Sequence, residues 1–332
     1  MKINRTVSVA PMMDCTDRHE RFFLRLISKN VLLYTEMIVS EAINRGDKKK
    51  LLEFNIEEKP VALQVGGSSP KLLAEAAKVG EEFGYDEINL NLGCPSKKVQ
   101  KNKFGACLIK EPNLVADCLN EMRSATSVPV TVKTRIGYDQ VDDYESLYNF
   151  ISTLKQTGVK TFIIHARKAM LGKFTPKQNL NIPPLKYEMV YNLKKDFQDL
   201  EIIINGGITS VQQVIEHLNK VDGTMIGRAV YHSPYLLADI ENKIFKNTNV
   251  PTREEIIEKL IFYIKNEIKK GTRINQVMRH TLGLFHGQTG ASFWKKYLSE
   301  NMCVRDADVK KIDHIMDKIK TRHTETSVGR ID

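Results

Sequence analysis

From the N-terminus to about residue 245, short β-branched or apolar runs alternate with longer stretches of helical spacing, the signature of repeated strand–helix units. Eight runs stand out: Val7–Ala10, Leu32–Tyr34, Val61–Val65, Glu87–Leu90, Val130–Lys133, Phe162–His165, Ile202–Asn205 and Thr224–Ile226. Eight such units in succession predict an α/β fold, a TIM (β/α)8 barrel of roughly 250 residues. A doubly wound open sheet shares the alternation, and periodicity leaves that arrangement open.

Nearly every run ends in a group that is costly to bury without a partner. The ends read Pro11-Met12-Met13, Glu36, Gln64, Asn89 with Asn91, Lys133, His165, Asn205 and Arg228. In a barrel these positions converge on the C-terminal face, where active sites of this fold are built.

Beyond residue 245 the pattern is helical without strands. Thr252 is placed to cap a helix from Arg253, with Glu254 and Glu255 at its positive end and Lys269-Lys270-Gly271 at its close. Ile257, Leu260, Ile261, Ile264 and Ile268 form its apolar stripe. Further helices are predicted around 275–285, 292–300 and 306–320. The expected organisation is a catalytic barrel over residues 1–245 and a small all-helical domain over 246–332.

Composition narrows the function classes. The 332 residues are 42% hydrophobic, enough for a sizeable core, and the formal charge of +10 favours an anionic partner. No apolar run approaches the ~20 residues of a membrane helix, and MKINRTVSVAP lacks the apolar core of a signal peptide, so a cytoplasmic protein is expected. The five cysteines, Cys15, Cys94, Cys107, Cys118 and Cys303, form no C-x-x-C pair and have no His at ligand spacing. Neither a disulfide framework nor a metal site is expected. Cys107 and Cys118 sit in apolar surroundings and read as core residues.

Asn205-Gly206-Gly207 and Gly227-Arg228 each close a strand and precede a helix. At the last two strands of a barrel, such turns expose backbone N–H groups to a phosphate, and Arg228 adds a bidentate charge. Lys133 can hold an anion, form a Schiff base or snorkel to solvent, and His165 can move a proton or satisfy a core hydrogen bond. Cys94, in Asn91-Leu92-Gly93-Cys94-Pro95-Ser96, falls just past the fourth strand. About 97% of an ordinary thiol is protonated at pH 7, so proton donation is at least as natural as nucleophilic attack.

Taken in order, APMMDCTDRHER, LLYTEM, PVALQVGG, YDEINLNLGCPSKKVQ, FGACL, VPVTVKTRIG, FIIHARKA, INGGI, IGRAVYHSP and LGLFHGQTGASFWKKYLSEN span almost the whole chain. This set resembles the tRNA-dihydrouridine synthases, and more closely their bacterial A type. The resemblance implies an FMN-binding barrel followed by a helical domain that helps hold tRNA. It implies hydride transfer from reduced flavin to C6 of uracil, proton donation to C5 by Cys94, and NADPH as electron source. Positions 20 and 20a of the D-loop are the implied targets.

Carried onto this chain, the resemblance has Pro11, Met12 and Met13 line the flavin and Gln64 hydrogen-bond its ring. Lys133 and His165 contact it, while Asn205, Gly206, Gly207, Gly227 and Arg228 cradle its phosphate. Asn91 is a candidate for holding the target uracil and Arg167 for contacting the nucleic acid. Lys177, Arg279, Lys295 and Lys296, interleaved with Trp294 and Tyr297, supply the cations and aromatics expected of an RNA surface, although Trp294, at helical spacing, reads equally as a core residue. Where the A type often carries Arg, this chain reads ASFWKK, and a lysine lacks the guanidinium fork. A flavin barrel acting on a free pyrimidine and a non-catalytic RNA-binding protein are the rival readings. No membrane association and no protein partner are expected.

Overall fold

The computed structural model describes residues 3–302 and Asp308. The predicted helix at 306–320 and Cys303 lie outside the described residues. The chain divides into two compact units, one containing the segment up to Thr16 with Val31–Gly227, the other containing Asp17–Asn30 with the chain from Arg228 on.

The first unit is the barrel. Its strands are β1 (Val7–Val9), β2 (Leu33–Tyr34), β3 (Ile38–Val39), β4 (Val61–Gly66), β5 (Glu87–Leu92), β6 (Val130–Arg135), β7 (Thr161–His165), β8 (Glu201–Asn205) and β9 (Gly223–Ile226). All pairings are parallel, in the order β1-β9-β8-β7-β6-β5-β4-β2, and the Ser8–Leu32 bridge brings β1 beside β2 to close the ring. The eight predicted runs are the eight staves of this TIM barrel. The two-residue β3 is an addition that pairs with β4 past the end of β2.

Parallel strands covered by helices are buried on both faces, which explains their continuous apolar runs. The barrel interior holds an apolar cluster of Ala10, Leu32, Tyr34, Ala62, Ile163, Ile203 and Met225. Alternation along each strand then places Gln64, Asn89, Asn91, Thr131, Lys133, Arg135, His165 and Asn205 on the same inward side as that cluster. Cys118 is buried as expected, whereas Cys107 is only half-buried, on a short 3-10 turn where its thiol donates to Phe104 O at 3.1 Å.

In the second unit, the helix Arg18–Ile27 is capped by Asp17, whose carboxylate accepts from His19 N at 2.9 Å and Glu20 N at 3.0 Å. Arg279 Nη2 donates to the same carboxylate at 2.6 Å, and His280 Nε2 lies 3.1 Å from it. Burial pushes the Asp17 carboxyl up, but His280, the backbone donors and Arg279 outweigh it and hold the group well below the usual carboxylate range. Tyr263 stacks on Phe22 with ring centroids 3.9 Å apart, and Arg18 pairs with buried Glu267. These contacts group residues 17–30 with the C-terminal helices, a division that differs from the sequence-based one at 245/246.

The helix Arg253–Lys269 begins as predicted, with Thr252 Oγ1 accepting from Glu255 N at 3.2 Å and Glu255 Oε2 accepting from Thr252 N at 2.7 Å. Its buried face ends differently. Glu267 is 1% exposed and Ile268 is 40% exposed, because Arg18, Lys270 and Thr272 all donate to the Glu267 carboxylate. Of the two readings open for Trp294 the core one holds: it is fully buried against Phe285, with Nε1 donating to Thr281 O at 2.8 Å.

Candidate active site

β5 ends at Leu92, and the chain turns sharply through Gly93 and Cys94. Asn91 makes that turn. Its Oδ1 accepts from Gly93 N at 3.1 Å and Cys94 N at 3.0 Å, while its Nδ2 donates to Gln64 Oε1 at 2.8 Å. The amide that the sequence offers for uracil recognition is thus engaged in shaping the cysteine loop. The opposite side of that loop is closed by Gly105 and Ala106. Ala106 N donates to Cys94 O at 3.0 Å, and a Cβ on Gly105 (φ +76°) would stand 2.7 Å from that oxygen. The FGACL segment is therefore a support for Cys94, whose side chain is half-buried.

Two cations from β6 flank this loop. Lys133 Nζ donates to Asn205 Oδ1 at 3.1 Å, and Asn205 Nδ2 donates to Met225 O at 2.8 Å, which fixes the amide's orientation. Burial pulls the Lys133 ammonium down to about 7, with Arg135 adding to the fall and Cys94 opposing it. Arg135, 3% exposed, donates through Nε to Gly93 O at 2.8 Å and through Nη1 to Lys168 O and Asn179 O at 3.2 and 3.3 Å. Burial lowers its pKa to about 10, with Cys94 opposing and Arg167 adding to the fall, so the guanidinium stays charged at neutral pH. Arg135 was not singled out from the sequence, although it lies within the V-K-T-R-I-G motif.

Past β8, Gly206 and Gly207 both have positive φ, +119° and +71°. A Cβ on Gly206 would sit 2.6 Å from His165 Cδ2, and one on Gly207 would sit 2.6 Å from Leu185 Cδ1. The backbone consequently runs directly along the His165 ring, and Tyr187 OH holds Gly206 O at 2.7 Å. Ala10 N donates to Ile226 O at 2.8 Å, placing the Pro11–Met12 segment beside the turn after β9. There a Cβ on Gly227 would lie 3.6 Å from Met12 Sδ. Pro11 and Met12 are half-buried, whereas Met13 is 56% exposed. Arg228 follows Gly227 in the chain and is exposed at the start of the short helix Arg228–His232.

The remaining candidates scatter. Arg167 Nη1 donates to Pro183 O and, at 3.4 Å, to Asn181 O, bracing the segment that follows the helix Pro176–Asn179, on which Lys177 is exposed. In the second unit Arg279 is engaged by Asp17, while Lys295 and Lys296 are exposed on the helix Ala291–Asn301. Lys97, Lys98, Lys101 and Lys103, exposed immediately after the cysteine turn, were not singled out either, and their crowding in SKKVQKNK was the available signal.

Chemically, the mouth of this barrel offers a thiol, two cations and a layer of oriented amides, with a glycine-lined backbone at its far side. Such a set can hold an anionic, hydrogen-bonding ring system and pass a proton at one edge of it. Among the described residues no cluster of His, Cys, Asp or Glu could hold a metal, and no helix is long and apolar enough to cross a membrane.

The sequence profile of the dihydrouridine synthase family matches residues 8–320. A tRNA-dihydrouridine(20/20a) synthase of Synechocystis sp. is 53% identical over 302 residues, covering 91% of this chain and 90% of its own. The protein of that name from Shewanella oneidensis is 49% identical over 322 residues, covering 96% and 95%. Its counterpart from Escherichia coli is 50% identical over 311 residues, covering 93% and 90%.

Proposed function

The chain belongs to the dihydrouridine synthase family, and from that premise we propose that it reduces the C5–C6 double bond of uridine at positions 20 and 20a of the tRNA D-loop. In this reading FMN is the resident flavin, NADPH the electron source and Cys94 the proton donor. The observation that carries it is the barrel mouth, where Asn91 of β5 holds the Cys94 turn and Gln64, and Lys133, its register partner on β6, reaches across to Asn205 of β8.

The residues present fit a flavin mononucleotide. Lys133 is a cation held in a desolvating environment, which a negatively charged ring edge would relieve. Gly206 and Gly207 leave a backbone path that any side chain would fill, as a phosphate cradle requires. Gln64, Lys133 and His165 would face the ring system, with Pro11, Met12 and Met13 against it, and Asn205, Gly206, Gly207, Gly227 and Arg228 would serve its phosphate end. When bound, the flavin supplies the hydride that C6 of the uracil ring receives.

Cys94 Sγ–H gives its proton to C5, and the half-buried thiolate left behind regains a proton from solvent. Arg135 and Asn91 keep the turn in place from its two sides, through Gly93 O and the Gly93 and Cys94 N–H groups. Reduction requires the uridine to leave its stack, which costs a few kcal/mol and is least costly in a loop. Arg167, Lys177, Lys295, Lys296 and Arg279 are the proposed RNA contacts, joined by the exposed lysines that follow Cys94. The helical unit is proposed to serve RNA binding.

Mass-spectrometric mapping of dihydrouridine in tRNA from cells with and without the protein tests reaction and position together. Loss of dihydrouridine at 20 and 20a on deletion is expected. Unchanged modification there, or turnover of free uridine equal to that of tRNA, would overturn the assignment.

A further inference from the structure

A file of buried hydrogen bonds crosses the barrel interior from the first residue of β5 to the cysteine turn beyond its last. At its lower end Arg5 Nε donates to Glu87 Oε2 at 2.6 Å, while Tyr34 OH and Thr131 Oγ1 donate to Glu87 Oε1 at 2.7 and 2.6 Å. Asn89 Nδ2 then donates to Thr131 Oγ1, Gln64 Nε2 to Asn89 Oδ1 and Asn91 Nδ2 to Gln64 Oε1, each at 2.8 Å. Gly93 N and Cys94 N complete the file on Asn91 Oδ1.

Every donor in this file points toward Glu87. The direction follows from the donor and acceptor inventory of each group. A carboxylate paired with a guanidinium accepts and does not donate, so the single Thr131 hydroxyl proton goes to Glu87 and its lone pair receives the Asn89 NH2. Asn89 must then turn its oxygen to Gln64, Gln64 its oxygen to Asn91, and Asn91 its oxygen to the loop. Reversing the file would present the Asn91 NH2 to two backbone N–H groups, donor against donor. Tyr34 cannot reverse it, since burial and then the adjacent Glu87 carboxylate push its phenol well above 10 and keep it a donor.

We infer that Glu87, anchored by Arg5, sets the polarity of this relay and is thereby a positioning residue for Cys94 at the opposite end of the strand. The loop that carries the thiol is ordered by a charge buried in the barrel floor as well as by its own sequence. This extends the proposed function, resting on Cys94 as its reactive thiol, and its test requires no turnover.

Glu87→Gln would remove the more buried of the two carboxylates that pair with Arg5, leaving only Glu201, and would risk unfolding, so the relay is better cut at Thr131. Thr131→Val keeps the shape and removes the hydroxyl, Thr131→Ala is a second break, and Thr131→Ser restores the hydroxyl. Hydrogen–deuterium exchange of the flavin-bound protein reads the Gly93 and Cys94 amides, next to Pro95, which has none. Thr131→Val and Thr131→Ala are expected to speed exchange at these two amides about tenfold, the equivalent of one net hydrogen bond. Thr131→Ser should return the wild-type rate, and amides of β8 should not change in any variant. Wild-type exchange at Gly93 and Cys94 in both breaking variants, or equal acceleration throughout β8, would overturn the inference. Absence of dihydrouridine formation by wild-type protein with the exchange result intact would instead overturn the reaction and leave the relay standing.

Discussion

Replacing Lys133 by methionine separates a cation kept for a ligand from one kept for the fold. The fall of its pKa from 10.5 to about 7 corresponds to about 5 kcal/mol of destabilisation at or below neutral pH if the side chain were fully desolvated. Lys133 is partly exposed in the barrel mouth, and screening reduces this to about 2 kcal/mol. Loss of its hydrogen bond to Asn205 offsets about 1 kcal/mol. Flavin-free Lys133→Met should therefore be more stable than wild type by about 1 kcal/mol, or about 1–2 °C in melting temperature for a chain of 332 residues. The folded pKa lies below the unfolded one, so the unfolded chain binds more protons between about 7 and 10.5, and wild-type stability rises with pH across that window. The advantage of the variant should be greatest at or below pH 7 and shrink as pH rises. Calorimetry across this range, with flavin content measured in parallel, checks both halves. A variant less stable than wild type at every pH, or one that keeps its flavin, would refute the reasoning.

Gly206→Ala should destabilise the protein by roughly 1–3 kcal/mol, because φ is +119° and the added Cβ meets His165 at 2.6 Å. Thermal denaturation and the visible flavin spectrum report it, and a wild-type melt with full flavin would contradict the close approach. Arg167→Ala should weaken tRNA binding and lower the slope of log affinity against log salt by about 1, while sparing flavin reduction by NADPH. Weaker binding at an unchanged slope would mean that Arg167 acts only by bracing the carbonyls of Asn181 and Pro183.

What the sequence made legible is what local pattern encodes. Eight strands, their polar C-terminal ends and the Thr252 cap are readable because burial and capping leave residue-spaced marks. The two-residue β3 leaves no period, and Ile268 looks like core until Arg18, 249 positions away, claims Glu267 for the buried face. Trp294 reads equally as core or RNA platform, and only the Thr281 carbonyl decides. Residues 17–30 follow a barrel strand in sequence but group with the C-terminal helices through Asp17, His19 and Phe22. At the site, the thiol, lysine, histidine and glycine turns were visible as strand-end chemistry. The roles of Asn91 and Arg135 were not, because their hydrogen bonds run to loop backbone and to neighbouring strands. The direction of the Glu87 relay is still further from view, since the links between its side chains join residues 25 to 82 positions apart.

The most direct test of the account is dihydrouridine formation by purified Cys94→Ala on unmodified tRNA with NADPH. General acid catalysis contributes about 10²–10⁴-fold, so the variant should remain yellow, oxidise NADPH, and lose at least about 100-fold of its dihydrouridine formation at positions 20 and 20a. Formation at the wild-type rate would contradict the assignment of Cys94 as proton donor, and loss of the flavin would mean that the cysteine turn belongs to the cofactor's site.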